Sequence, residues 1–130
     1  MVFILKKGEF AMIVVSKEDA LKGLKKFKRL AKQDHLVSQL TSEPEYWSLQ
    51  AEGRRQTYTK LMELINEHGV DYAYHYALEE YANLPFVFPE DRDEPERIGN
   101  RQALEMFFSI LGVESPNNTE QQIGGIAIRK

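Results

Sequence analysis

Residues 20–32 read ALKGLKKFKRLAK and carry six positive charges in a chain whose net charge is −3. At about 100° per residue the stretch separates into two sides. One side is apolar and holds Ala20, Leu24, Phe27 and Ala31. The opposite arc is cationic and holds Lys22, Lys25, Lys26, Arg29 and Lys32. The pattern predicts a helix over about residues 17–33 that docks by its apolar side, and Ser16 is placed to cap it.

Four further helices are predicted on the C-terminal side of this stretch. Apolar residues at helical spacing, together with prolines and glycines at the boundaries, place them at about 44–52, 54–68, 72–83 and 100–111. Gly69 and Gly112 are positioned to end two of them. Asp71 and Asn100 are positioned to cap the starts of two.

The two ends of the chain are predicted to add a small sheet. Residues 2–6 and 10–15 are β-branched and aromatic runs on either side of Gly8, which is typical of a hairpin. Residues 123–129 alternate weakly and are a candidate third strand. The predicted fold class is therefore α+β and predominantly helical, with about five helices and a small antiparallel sheet, in one domain of residues 1–130. Met12 is an alternative start, in which case residues 1–11 are a tag or an N-terminal extension.

The composition indicates a globular protein and excludes some chemistry. The 130 residues are 42% hydrophobic and 28% charged, as in ordinary folded domains. There is no cysteine, which excludes disulfides, thiolate metal sites and cysteine nucleophiles. The apolar run at the N-terminus is too short for a signal peptide or a membrane span. We therefore expect a cytoplasmic protein that has no membrane partner.

The charge is unevenly distributed, because residues 1–32 carry a net charge of +6 and the remaining 98 residues −9. The five cations opposite the apolar side could form a phosphate-binding surface for RNA or single-stranded DNA. Arg54 and Arg55 would extend it, with Tyr46 and Trp47 as stacking partners for bases. Three other interpretations remain: a solvated face, a face paired with the acidic residues 90–96, or a contact for an acidic protein or membrane surface.

Residues 70–84, VDYAYHYALEEYANL, form a second unusual helix. Tyr72 and Tyr76 are predicted to lie outward as protein-contact residues, since tyrosine is enriched at interfaces. At least one of the two is nevertheless expected to pack against a neighbouring helix. Asp71, His75 and Glu79 follow at four-residue spacing and could ligate a hard metal ion. A straight helix spreads the three over about 12 Å, so a second helix would have to supply further ligands.

A proline-bounded segment, LPFVFP at 84–89, precedes an acidic run. Its extended backbone would turn Phe86 and Phe88 in the same direction. They could fill the core, or they could anchor a protein-binding edge whose acidic rim is Glu90, Asp91, Asp93 and Glu94.

No phosphate-binding glycine loop, nucleophile elbow or dinucleotide fingerprint is present in the sequence. The leading hypothesis is a small cytosolic binding or regulatory protein without a cofactor. It would act on a partner protein through Tyr72, Tyr76, Phe86, Phe88 and the acidic run. The alternative is an RNA- or single-stranded-DNA-associated protein that uses the basic helix. The second alternative is a metal-dependent enzyme that uses Asp71, His75 and Glu79.

Overall fold

The computed structural model of the chain describes residues 2–4, 10–84 and 94–116, with side chains from residue 13 onward. Its four α-helices are α1 (Lys17–Val37), α2 (Pro44–His68), α3 (Val70–Asn83) and α4 (Pro95–Leu111). A 3₁₀ turn, Ser38–Leu40, joins α1 to α2. Two three-residue strands, β1 (Val2–Ile4) and β2 (Phe10–Met12), pair antiparallel with Val2 opposite Met12.

The fold class is all-α, and the predicted α+β class is wrong. Every buried hydrophobic side chain of the described core except Ile13 belongs to one of the four helices. The apolar faces of the helices are thus buried against one another and not against a sheet layer, for which the β1–β2 pair is too short. The candidate strand at 123–129 lies outside the described residues.

The two helices predicted at 44–52 and 54–68 are one continuous helix, α2. Gly53, which suggested a break, lies inside α2 where α4 crosses it. A Cβ at this position would collide with the carbonyl oxygen of Glu96. Glycine at this position therefore allows α4 to approach α2 closely, and it does not interrupt α2.

Helix α4 begins at Pro95, five residues before its predicted start. Proline suits the first turn of a helix because its missing N–H would have no helical partner there. Asn100 is consequently not an N-cap, and its Oδ1 accepts a hydrogen bond of 3.1 Å from Thr57 Oγ1 of α2. Asp71 is likewise not a cap, because α3 begins at Val70.

Three predicted helix boundaries are confirmed. Ser16 Oγ accepts a hydrogen bond of 3.1 Å from the backbone N–H of Asp19 at the start of α1. Gly69 follows the end of α2 at φ 98° and ψ 170°, a conformation that requires glycine. Gly112 ends α4 in the left-handed region, at φ 78° and ψ 24°.

Helix α2 is the centre of the bundle and packs against α1 and α4. The predicted apolar side of α1 is confirmed, since Ala20, Leu24 and Ala31 are fully buried. The rings of Tyr74 and Tyr81 from α3 meet Phe108 of α4 edge to face, at centroid distances of 6.1 and 5.6 Å. All four helices contribute side chains to one hydrophobic cluster.

Candidate interaction surface

The outward face of α1 carries a row of positive charge. The side chains of the predicted arc are all exposed, and we call them the cationic stripe: Lys22, Lys25, Lys26, Arg29 and Lys32. Within residues 13–84 and 94–116, none of them forms a salt bridge. Like charges on one helix face repel one another, so the stripe favours an approaching anion.

The two arginines expected to extend the stripe are each bound to a carboxylate. Arg54 Nη2 lies 3.0 Å from Asp34 Oδ2, and the arginine side chain is largely buried. Arg55 donates two hydrogen bonds to Glu52, the shorter of 2.8 Å, and these lower the pKa of Glu52. Positive charge is therefore concentrated on α1, and the start of α2 adds little to it.

The two outward-predicted tyrosines of α3 have different environments. Tyr72 is 49% exposed, and its ring stacks on that of His68 at a centroid distance of 4.2 Å. Tyr76 is half-buried against the core, with Lys60 Nζ 5.9 Å from its ring centre. Of these two tyrosines, Tyr72 is thus the exposed one, and one face of its ring is covered by His68.

The three candidate metal ligands of α3 are all exposed on one helix. Asp71 Oδ1 accepts a hydrogen bond of 3.1 Å from the backbone N–H of Tyr72. Among the described residues, no three histidine or carboxylate side chains converge on a common point suitable for a metal ion. The second helix that such a site would need does not supply ligands in this part of the chain.

Most of the proline-bounded segment and of the acidic run lies outside the described residues. Phe86, Phe88, Glu90, Asp91 and Asp93 lie outside the described residues. Glu94 immediately precedes α4, where its Oε1 accepts from Arg97 Nε at 3.0 Å. That pair is half-exposed and contributes little to stability.

A surface that the sequence did not predict lies at the corner between α1 and α2. The described residues include eight large hydrophobic side chains that are exposed, and five of them fall within residues 36–49. We call these five the apolar corner, because they flank the turn between α1 and α2: Leu36 (65% exposed), Val37 (51%), Leu40 (87%), Trp47 (40%) and Leu49 (41%). Trp47 and Leu49 are two residues apart in α2 and so lie on different faces of that helix. Trp47 also meets Tyr46 edge to face at 4.9 Å.

Local hydrogen bonds hold the backbone beneath the apolar corner in place. Ser38 Oγ donates to the carbonyl oxygen of His35 at 2.6 Å, and Thr41 Oγ1 donates to that of Ser38 at 2.7 Å. A further bond of 3.1 Å joins His35 Nδ1 of α1 to Ser48 Oγ of α2. The corner is therefore a preset surface, which lowers the entropic cost of binding a partner.

The apolar corner was missed because the predicted helix ended near residue 33. Helix α1 continues to Val37 and so places Leu36 in helical register with Lys25, Arg29 and Lys32. The cationic stripe consequently leads to an exposed leucine. The signal in the sequence was the three aliphatic residues among polar neighbours in residues 34–43.

A groove of about 580 Å³ runs between α1 and α4 over α2. Its floor is Tyr58 and Arg54 of α2. One wall is formed by Phe27 and Leu30 of α1, and the other includes Met106 and Gln102 of α4. We call it the α1–α4 groove.

Comparison of the chain with family models, curated proteins and solved structures gives no match. Within the described residues, no helix has both the length and the apolarity required to cross a lipid bilayer. Function is therefore inferred from the surfaces described above.

Proposed function

We propose that the chain is a binding or regulatory protein that acts through contact with another protein, and that the apolar corner is its contact surface. The observation that carries this proposal is the concentration of exposed hydrophobic side chains in residues 36–49. Single exposed hydrophobic residues are ordinary, whereas clusters mark interaction sites. Trp47 supplies the residue type most enriched at binding hot spots.

The neighbouring charge indicates the chemistry of the partner. The cationic stripe lies on the same face of α1 as Leu36 and has no anionic partner among the described residues. A partner surface with carboxylates beside an apolar anchor would complement both features. Such charge complementarity steers association and excludes basic proteins.

The surface of α3 that carries Tyr72 and Tyr76 receives weaker support as the contact site. Tyr76 is half-buried against the core, so its area is already used in folding. Tyr72 remains exposed, but it stacks on His68 at the C-terminal end of α2, whereas the apolar corner lies at the start of that helix. Tyr72 is therefore a suitable control position for experiments on the corner.

The proposal is tested by quantitative crosslinking capture with the full chain. Wild type would be compared with a Leu36→Ser/Leu40→Ser variant and with a Tyr72→Ser control, all with unchanged far-UV circular dichroism. We expect one set of captured proteins to be lost from the corner variant and kept by the control. Identical capture by all three proteins, or loss only with Tyr72→Ser, would refute the apolar corner as the contact surface.

A second candidate function is binding of RNA or single-stranded DNA. The observation that favours it is the set of five exposed cations without a salt bridge in the described residues. Leu36, Val37 and Leu40 are exposed at the C-terminal end of the cationic stripe. Exposed aliphatic side chains suit a protein partner better than a polynucleotide, so we rank this function second. Affinity for a nucleic acid should fall steeply as the salt concentration rises, whereas binding through apolar contacts should change much less. This difference separates the two candidate functions.

A further inference from the structure

We infer that the cationic stripe of α1 binds a second copy of this chain through the outward face of α3. We call that part of α3 the acidic face, and it comprises Asp71, Glu79 and Glu80. The inference goes beyond the proposed function, because it assigns an occupant to the stripe and does not require the apolar corner. Self-association would compete with an acidic partner protein for the stripe.

Helix α3 differs in charge from the other helices of the described chain. It is the one helix among them that contains no lysine or arginine. The three carboxylate side chains of its acidic face are all exposed. Within residues 13–84 and 94–116, none of the three forms a salt bridge. The acidic face is therefore open to a cationic surface.

The stripe and the acidic face do not neutralise each other within one molecule. Helices α1 and α3 both pack against α2, and each turns its charged face to solvent. In the described part of the chain, no salt bridge joins a cation of the stripe to a carboxylate of α3. Two molecules can bring these faces together, and opposite charges across such a contact favour association.

The two faces are similar in length. Lys22 and Lys32 are ten residues apart on α1, which corresponds to about 15 Å along the helix. Asp71 and Glu79 are eight residues apart on α3, which corresponds to about 12 Å. Two such helices lying side by side would bring several opposite charges together at once.

The acidic face also borders a hollow that suits lysine side chains. The hollow has a volume of about 490 Å³ and is lined by Tyr72, His75, Tyr76, Leu78 and Glu79. A lysine side chain lays its aliphatic stem on apolar surface and keeps its ammonium group in a polar environment. A lysine of the stripe would thus contact the aromatic and aliphatic lining with its stem and Glu79 with its charge.

The contact is expected to be weak and sensitive to salt. Exposed ion pairs are individually weak, and salt screens them beyond about 10 Å at an ionic strength of 0.1 M. The net charge of −3 also makes two copies repel each other outside the matched faces. We therefore expect self-association at high protein concentration and low salt.

Sedimentation velocity of the full chain tests the inference, over about 10 µM to 1 mM protein in about 20 and about 300 mM salt. We expect the weight-average sedimentation coefficient to rise with protein concentration at low salt and to stay constant at high salt. A Lys25→Glu/Arg29→Glu/Lys32→Glu variant reverses the charge of the stripe, and an Asp71→Lys/Glu79→Lys variant reverses that of the acidic face. Each variant alone should remain monomeric at low salt, because its two faces then carry net charge of the same sign.

Mixing the two variants separates pairing of the faces from a general effect of charge. The stripe of the α3 variant and the acidic face of the α1 variant are both native, so an equimolar mixture should associate although neither variant does so alone. Glu96→Lys/Glu114→Lys is the matched control, because both side chains are exposed outside α1 and α3. It changes the net charge as much as the α3 variant does, and it should associate like wild type. Far-UV circular dichroism verifies that every variant is folded.

Three results would overturn the inference. The first is a wild type that stays monomeric at the lowest salt and the highest concentration. The second is association that persists in about 300 mM salt or in either charge-reversed variant. The third is a mixture of the two variants that does not associate. None of these results changes the capture expected of the apolar corner, so failure of the inference is distinguishable from failure of the proposed function.

Discussion

Gly53 of α2 and Gly99 of α4 lie at a single helix crossing, where the two backbones are in direct contact. A Cβ on Gly99 would collide with the carbonyl oxygen of Gln50, and a Cβ on Gly53 with that of Glu96. The obstructing atoms belong to the backbone and cannot rotate away. The close approach of α2 and α4 therefore depends on both glycines.

We predict that Gly99→Ala destabilises the protein. Alanine favours a helix over glycine by about 1 kcal/mol, but the added methyl group must push α2 and α4 apart. Overpacking of this kind costs about 1–3 kcal/mol and more against backbone. We expect a net loss of about 2 kcal/mol in the free energy of unfolding, measured by urea denaturation.

Gly23→Ala is the matched control for this substitution. Its Cβ would meet the flexible side chain of Ile110 at 3.2 Å, not a backbone atom. The gain in helix propensity then offsets the cost of moving the Ile110 side chain. We therefore expect the free energy of unfolding to change by less than about 1 kcal/mol. Equal destabilisation by the two alanines would show that the α2–α4 backbone contact is not the cause.

A second prediction concerns alkaline unfolding and Tyr81. Its hydroxyl donates to Glu105 Oε2 at 2.7 Å, and burial, followed by this bond, raises the pKa of Tyr81 to about 12. Because the folded state holds the phenol proton more tightly, the stabilisation is complete below about pH 10 and lost as the pH rises toward 12. A shift of this size corresponds to about 2–3 kcal/mol.

The Tyr81→Phe variant tests this assignment. It removes both the titrating group and one charge-assisted hydrogen bond, so it should be about 1–2 kcal/mol less stable at neutral pH. Between about pH 10 and 12 its stability should fall less steeply than that of wild type. The measurement is the urea midpoint as a function of pH. Parallel pH profiles would assign the alkaline loss to other tyrosines, since burial also raises the pKa values of Tyr58 and Tyr74.

The helices were predictable because local residues determine them. Ser16, Gly69 and Gly112 carry capping chemistry that is readable in the sequence, and the apolar face of α1 follows from its spacing. The errors occur where a tertiary contact overrides the local signal. Gly53 resembles a helix break until α4 is placed across it, and Asn100 resembles a cap until Thr57 is found as its donor.

The candidate site was less predictable than the helices. Helical spacing alone shows which charged residues share one face of a helix, so the cationic stripe was identified from the sequence. Exposure of an apolar residue depends on which tertiary neighbours cover it, so the exposure of Leu36 and Leu40 could not be read from local spacing. The contact roles predicted for Phe86 and Phe88 remain predictions, since both lie outside the described residues.

A third prediction distinguishes the nucleic-acid function. If the five cations of the stripe bind phosphates, the affinity for single-stranded RNA should fall about several hundred-fold between about 50 and 300 mM salt. Fluorescence anisotropy of labelled RNA measures this directly. The Lys25→Glu/Arg29→Glu variant should bind far more weakly and with a shallower salt dependence. Binding that survives high salt, or no binding at the lowest salt, would remove this function.

The fourth prediction separates stability from function at two leucines of α1. Leu36 is 65% exposed and Leu24 fully buried. Leu36→Ser should change the free energy of unfolding by less than about 0.5 kcal/mol, as expected for an exposed position. Leu24→Ala opens a core cavity and should cost about 2–5 kcal/mol.

Binding to the captured partner should show the opposite order. Leu36→Ser should weaken it because the variant removes apolar contact area from the interface. Leu24→Ala should retain the wild-type affinity at temperatures where it remains folded, because its side chain does not reach the surface. Isothermal titration with the captured protein and urea denaturation measure the two effects on the same samples. A Leu36→Ser variant that binds normally would mean that exposure at the corner reflects only the end of the bundle.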